Sequence, residues 1–198
     1  MHWNKKVKTF FFLFLTAKGK HYIFIRDGDI MKNLYIDFDG VISDTIEVTY
    51  EMMKNQKIDR TDVPAVREFY QNLDWVSLLE TTPLINDSME KIKKLHDSEK
   101  FDIAILTHVN SQKEAVAKIK YIRKFLKKIT IIPVPKEVSK TETVCAEDSI
   151  LVDDYKGNLA EWEKAGGIGV RFSKIKKESK YIDISDLEEL LALSIDKC

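Results

Sequence analysis

Apolar positions along this chain follow two periods in turn, and their order predicts the architecture. Runs of strand length stand at 34–38, 101–107, 129–134, 149–153 and 168–172, built largely of Ile, Val, Leu and Phe. Helical stripes separate the later runs. Met89, Ile92 and Leu95 follow a cap at Asn86 or Asp87, and Ala115, Ile119, Ile122 and Leu126 follow a cap at Ser111. A helix over 158–164 ends before the Gly166-Gly167 turn. Leu187, Leu190 and Leu191 predict a last packing helix. Near-continuous apolar strands alternating with helices predict an α/β fold, a parallel sheet with helices on its faces.

One interval breaks this alternation. Between the first and second runs lie three helical stripes: Ile46, Tyr50 and Met53; then Val66, Phe69, Tyr70 and Leu73 behind the caps Thr61-Asp62 and Pro64; then Trp75, Leu78 and Leu79. That is too much chain for a simple crossover. It predicts a small helical cap over 45–82, inserted after the first core strand and bounded by Pro83, with the core made of 31–44 and 83–198.

Residues 1–30 admit three readings. Lys5, Lys6 and Lys8 before Phe10 to Leu15 imitate a secretory leader, but the apolar run is short and no small-residue cleavage site follows. Thr9 to Leu15 and His21 to Ile25 also fit a hairpin around the turn at 17–20. The favoured reading is that the functional chain begins at Met31, which leads directly into the first core strand and leaves 1–30 as an extension.

Composition narrows the function classes. A chain of 198 residues that is 44% hydrophobic has enough material for one real core. Thirty-two basic residues cancel thirty-two acidic ones, which disfavours a nucleic-acid polymer or a membrane surface as partner. Two cysteines and four histidines, all scattered, fit a cytoplasmic protein and give no zinc pattern.

The chemistry lies at strand ends. The first run stops at Asp37 and Asp39, carboxylates two residues apart that would share one face of a strand and repel unless a cation lay between them. Gly40 allows a sharp turn there. The second run ends in the hydroxyl of Thr107, Lys136 and Lys140 follow the third, and the fourth ends in Asp153-Asp154. Acid pair, hydroxyl, lysine and acid pair are the components of phosphoryl transfer.

That ordered set resembles the haloacid dehalogenase-like (HAD) hydrolase superfamily over Tyr35 to Asp154, with the shared core continuing to about Phe172. Asp153-Asp154 with Asn158, Trp162 and Gly166-Gly167 is most similar to its 5'(3')-deoxyribonucleotidase-like phosphatases. The resemblance implies a Rossmann-like three-layer core and a Mg2+-dependent phosphomonoesterase. Asp37 would be the nucleophile and Asp39 the general acid and base. Asp37, Asp39 through its carbonyl, and Asp153 would hold Mg2+, with Asp154 behind them. Thr107, the amides from His108 to Asn110, and Lys140 would bind the substrate phosphate; the His108 ring receives no catalytic role. Lys140 is preferred over Lys136 on its spacing to Asp153. Phe69, Tyr70 and Trp75 are candidates for cap specificity, with core packing as the competing reading. The substrate would be a small phosphorylated metabolite, a nucleoside monophosphate first. A sugar-phosphate phosphatase, a phosphomutase and a catalytically silent phosphate- or protein-binding module are the alternatives.

Overall fold

The structure, a computed structural model, describes residues 9–16, 19–26, 29–175 and 179–193, with side chains from residue 31 onward. Ahead of the core, β1 (Thr9–Thr16) and β2 (Gly19–Arg26) pair antiparallel, and β3 (Asp29–Ile30) adds to β2, making a separate three-stranded sheet. The paired strands of the hairpin reading are thus the arrangement the backbone adopts over 9–16 and 19–26; residues 17 and 18 of its turn, and Lys5, Lys6 and Lys8 of the leader reading, lie outside the described residues.

The main sheet has six strands, all parallel. β4 (Lys32–Ile36) lies between β5 (Phe101–Val109) and β7 (Ile150–Asp153). β6 (Thr130–Pro135) flanks β5, while β8 (Ile168–Phe172) and then β9 (Ile182–Ile184) extend the β7 side. The chain therefore moves outward from β4 on one side and returns to begin again on the other. Such a reversal leaves a crevice at the carboxyl ends of the central strands, where open α/β sheets bind ligands.

Alternation along the strands builds two apolar layers. Leu34, Ile36, Ile150 and Val152 pack with Ile92 and Leu95 of α4 (Ser88–Asp97) and Ile122 of α5 (Gln112–Phe125). Tyr35 and Leu151 face the other way, against Leu159 and Trp162 of α7 (Lys156–Lys164). Helices on both faces of a parallel sheet give the three-layer α/β fold that the sequence pattern implies.

The insert comprises α1 (Thr45–Asn55), α2 (Val63–Asn72) and α3 (Trp75–Thr81). Asp62 and Asp74 cap the latter two through their carboxylates. Its two ends run side by side: Asp44 N donates to Pro83 O at 3.1 Å and Ile85 N to Ile42 O at 2.9 Å. Trp75, Leu78 and Leu79 of α3 are buried in the same apolar cluster as the sheet, so the last helix of the insert is packed into the core.

Three sequence expectations need correction, and one strand is added to them. β4 ends at Ile36, so Asp37 and Asp39 lie beyond the strand and do not share its face. Neither Asn86 nor Asp87 caps α4 with its side chain; Asp87 adopts φ +53°, and the Asn86 amide donates to Ser185 O. The last described segment adds a strand, β9, and its packing helix is a short 3-10 helix over Leu187–Leu191 that buries Leu187 and Leu190 in the core. On α5 the buried stripe runs through Glu114, Ala117, Lys118 and Ile122, rotated from the apolar one because two charged residues are buried as a pair.

Candidate active site

The site forms where β4, β5 and β7 end. Asp37 N still donates to Val152 O at 2.9 Å, which fixes the backbone of that residue against β7. The next residues turn sharply, with Gly40 at φ +75°. A Cβ on Gly40 would stand 2.5 Å from Asp154 Oδ2, so both the turn and the closeness of the two loops require glycine.

Oxygens of Asp37, Asp153 and Asp154 come within 4.8 Å of one another. Asp153 is fully buried and satisfied: its Oδ2 accepts from Lys140 Nζ at 2.6 Å and Asn158 Nδ2 at 2.8 Å, its Oδ1 from Tyr155 N at 2.9 Å. Lys140 Nζ is also 3.0 Å from Asp37 Oδ1, though that oxygen receives no well-directed hydrogen bond. Counted as fully ionised, three carboxylates less one ammonium give a net charge of minus two in a buried place.

The acids carry that deficit. Burial raises the Asp37 pKa, and Asp153 and Asp39 add to the rise, while Lys140 opposes it. Burial likewise lifts Asp154 to about 8, with Asp37, Asp153 and Asp39 contributing repulsion. Lys140 also moves up: burial works against its charge, but Asp37 and Asp153 outweigh it. Upward shifts on both sides of the Asp37–Lys140 contact are consistent, because one cation is divided among several anions. Hard oxygen ligands without His or Cys suit Mg2+.

Asp39 is held apart from the cluster. Thr45 Oγ1 donates to its Oδ1 at 2.6 Å, and Lys118 Nζ donates to its Oδ2 at 2.5 Å. Above these residues opens a cavity of about 1210 Å³ between the strand ends and the insert.

Solved structures share this architecture. A haloacid dehalogenase-like family hydrolase from Xanthomonas campestris superposes with a TM-score of 0.57 at 13% identity, over 86% of this chain and 93% of that one. A HAD-superfamily hydrolase of subfamily IA, variant 1, from Geobacter sulfurreducens gives 0.53 at 16% identity, over 82% and 98%. A haloacid dehalogenase-like family hydrolase from Streptococcus pneumoniae gives 0.51 at 16%, over 82% and 97%. The fold is that of the HAD-type hydrolases. No family model matches the sequence, and a comparison with curated proteins finds no match.

Within this HAD-type fold, the residues singled out from the sequence fall into distinct places. Asp37, Asp39, Asp154 and His108 line the cavity; Thr107, Lys140 and Asp153 are buried beneath it. Asp154 joins Asp37 and Asp153 in the carboxylate cluster; the Asp39 carboxylate stands outside it, and the ligand expected of Asp39 is its backbone carbonyl. Lys140 is the lysine brought to Asp37 and Asp153, while Lys136 lines the cavity. Thr107 Oγ1 accepts from Lys118 Nζ at 3.2 Å and lies 3.4 Å from Asp39 Oδ2. His108 Nε2 donates to Val138 O at 3.1 Å, and burial with Lys140 and Lys136 nearby lowers its pKa to about 4, so the ring is neutral at pH 7. Of the cap aromatics, Tyr70 and Trp75 line the cavity and Phe69 does not.

Two contributors escaped the sequence reading. Ser139 and Glu142 form a capping box that opens α6 (Lys140–Thr143) and thereby sets Lys140 at its first position. The S-x-x-E spacing was present to be read. Lys118 and Glu114 gave no comparable signal, because a Glu and Lys four apart on a helix ordinarily mark a solvated face.

Proposed function

We propose that the chain is a Mg2+-dependent phosphomonoesterase working through an aspartyl-phosphate on Asp37. The observation that carries this is the charge deficit of Asp37, Asp153 and Asp154 against Lys140, beside a separately held second acid, at the carboxyl ends of the central strands. Bound there by Asp37, Asp153 and Asp154, Mg2+ would offset the two excess negative charges and the charge of an incoming phosphate.

An oxygen of Asp37 attacks phosphorus, and the bond to the leaving oxygen breaks with its electron pair staying on that oxygen. Asp39, entering the step as the protonated acid, supplies the proton that neutralises it and is left as the carboxylate. Water then attacks the aspartyl-phosphate, giving its proton to Asp39, and inorganic phosphate departs with Asp37 restored. Lys140, in contact with Asp37, reduces the repulsion between that carboxylate and the phosphate. His108, neutral and committed to Val138 O, takes no part in proton transfer.

For the leaving group, a nucleoside monophosphate is the first candidate, since the cavity is large and Tyr70 and Trp75 line it. Sugar phosphates are the second. A panel of both, with p-nitrophenyl phosphate, assayed with Mg2+ and with EDTA, tests the reading. Turnover with Mg2+ and silence in EDTA are the expected results. No hydrolysis of any ester would favour the non-catalytic binding module.

A further inference from the structure

The phosphatase chemistry leaves one expensive feature without a use. Lys118 is fully buried on α5, and a buried ammonium survives only when its donors are all met. Its Nζ donates to Asp39 Oδ2 at 2.5 Å and to His108 O at 3.0 Å, and it pairs with Glu114 Oε1 at 2.7 Å. The rings of Trp75 and Phe38 lie 5.0 and 5.6 Å from it and close off water. Glu114 is itself anchored: its Oε2 accepts from Asn110 N at 2.7 Å and Asn110 Nδ2 at 3.1 Å. A continuous strut thus runs from the loop after β5, through Glu114 and Lys118, to the carboxylate of Asp39.

We propose that Lys118, braced by Glu114, is a positioning residue that holds the Asp39 side chain where it exchanges a proton with the leaving group and the attacking water, and keeps it out of the acid cluster. Two restraints act from opposite sides, Thr45 at the start of the insert on Oδ1 and Lys118 of the core on Oδ2. Between them one rotamer of Asp39 is fixed. Its side chain keeps 16% exposure, so a substrate in the cavity can still reach it. Without Lys118 the carboxylate is free to turn elsewhere, toward water or toward a cation held by Asp37, Asp153 and Asp154. Trp75 then has a role in the core, as the apolar cover of the ammonium.

The inference rests on the phosphatase reading, and its test separates the two. Lys118→Met alone leaves Glu114 buried without its partner, so the variant of choice is Lys118→Met with Glu114→Gln, which removes both charges together. Its kcat/KM is compared with that of the parent on p-nitrophenyl phosphate, whose leaving group needs little protonation, and on the best alkyl phosphate of the panel, whose leaving group needs it fully. The expected loss is roughly hundredfold on the alkyl ester, the low end for a general acid, and only a few-fold on the aryl ester. Equal losses on both, or no loss, overturn the proposal and leave the pair as core packing. If the parent hydrolyses neither ester, the phosphatase reading fails, and a crystal structure of the double variant decides the positioning claim alone. A displaced Asp39 carboxylate supports it, and an unmoved one overturns it.

Discussion

Asp154 offers a sharp test of the electrostatics at this site, because its ionisation disfavours the metal-free fold. Its pKa of about 8 stands well above the ordinary 3.8, chiefly from burial and then from three neighbouring carboxylates. Raised values mean that the folded chain binds a proton more tightly than the unfolded chain does. The contribution of Asp154 to the stability of the metal-free protein therefore falls as pH rises from about 4 toward 8 and is flat outside that window. At pH 7 the linkage integrates to about 4 kcal/mol, at about 1.36 kcal/mol per pH unit above the ordinary value. Asp154 keeps partial contact with solvent, whose screening reduces this to about 2 kcal/mol.

Asp154→Asn keeps the shape and removes the charge, and in EDTA at pH 7 it should raise Tm by roughly 4 to 8 °C, taking about 2 to 4 °C per kcal/mol for a chain of this size. The gain should shrink toward pH 5 and disappear near pH 4. Mg2+ reverses the ranking: at a hundred times Kd it stabilises the parent by about 2.7 kcal/mol, and the variant, lacking one carboxylate of the cluster, should respond less. Thermal melts of both proteins across pH, with EDTA and with Mg2+, provide the measurement. A lower Tm for the variant in EDTA, or a gain that grows as pH falls, refutes the charge-deficit argument. An unchanged response to Mg2+ returns Asp154 to a place behind the metal.

Asp37→Asn should abolish turnover with the fold intact, and Asp39→Asn should lose roughly 10^2 to 10^4 in rate; steady-state kinetics beside circular dichroism check both, and near-parental activity in Asp37→Asn refutes the covalent route. Lys140→Ala should depress turnover far more than Lys136→Ala, since only Lys140 contacts Asp37 and Asp153; the reverse order in the same assay would reassign the phosphate-site lysine. A chain beginning at Met31 should be folded and active, because among the described residues the main sheet and the acid cluster use none before it; lost activity on matched substrate would give the N-terminal sheet a role.

Elements with an apolar period were legible from the sequence, and so were the polar residues that end them. β4, β5, β7 and β8 are dense apolar runs that stop at polar residues, and nothing competes with that signal. β9 was not legible: Ile182-Asp183-Ile184 is too short for its alternation to stand out, and its pairing with β8 is settled by tertiary contact. Asp37 and Asp39 were legible as a pair but not as two environments. Which way each carboxylate turns depends on Lys140, Thr45 and Lys118, residues distant in sequence and dissimilar in pattern. The α5 stripe failed for the same reason, since reading charge as exposure excludes a lysine that is buried because it is paired.

The cap shows most clearly how far residue type falls short of role. Phe69, Tyr70 and Trp75 are equivalent as letters, each an aromatic large enough to stack on a base. Their surroundings separate them. Phe69 is buried edge-on against Tyr70 at 5.2 Å, and Trp75 is 4% exposed, donates to Tyr70 O, and covers Lys118. Tyr70 has its hydroxyl 3.2 Å from that of Thr49 and shares the cavity wall with Tyr50, whose ring carries the Arg60 guanidinium 3.7 Å above it. A side chain can select a leaving group only with atoms that reach the cavity. Phe69 does not reach it and Trp75 lines it with little exposed surface, so the recognition surface of the insert shifts toward Tyr50, Arg60 and Tyr70, an aromatic wall with a cation at its rim. Such a surface suits a leaving group that combines a flat ring or an apolar face with a polar or anionic edge. Removing Trp75, by contrast, strips the cover from Lys118 and should disturb Asp39, so that the loss follows the leaving group's need for a proton and falls alike on nucleoside and sugar phosphates.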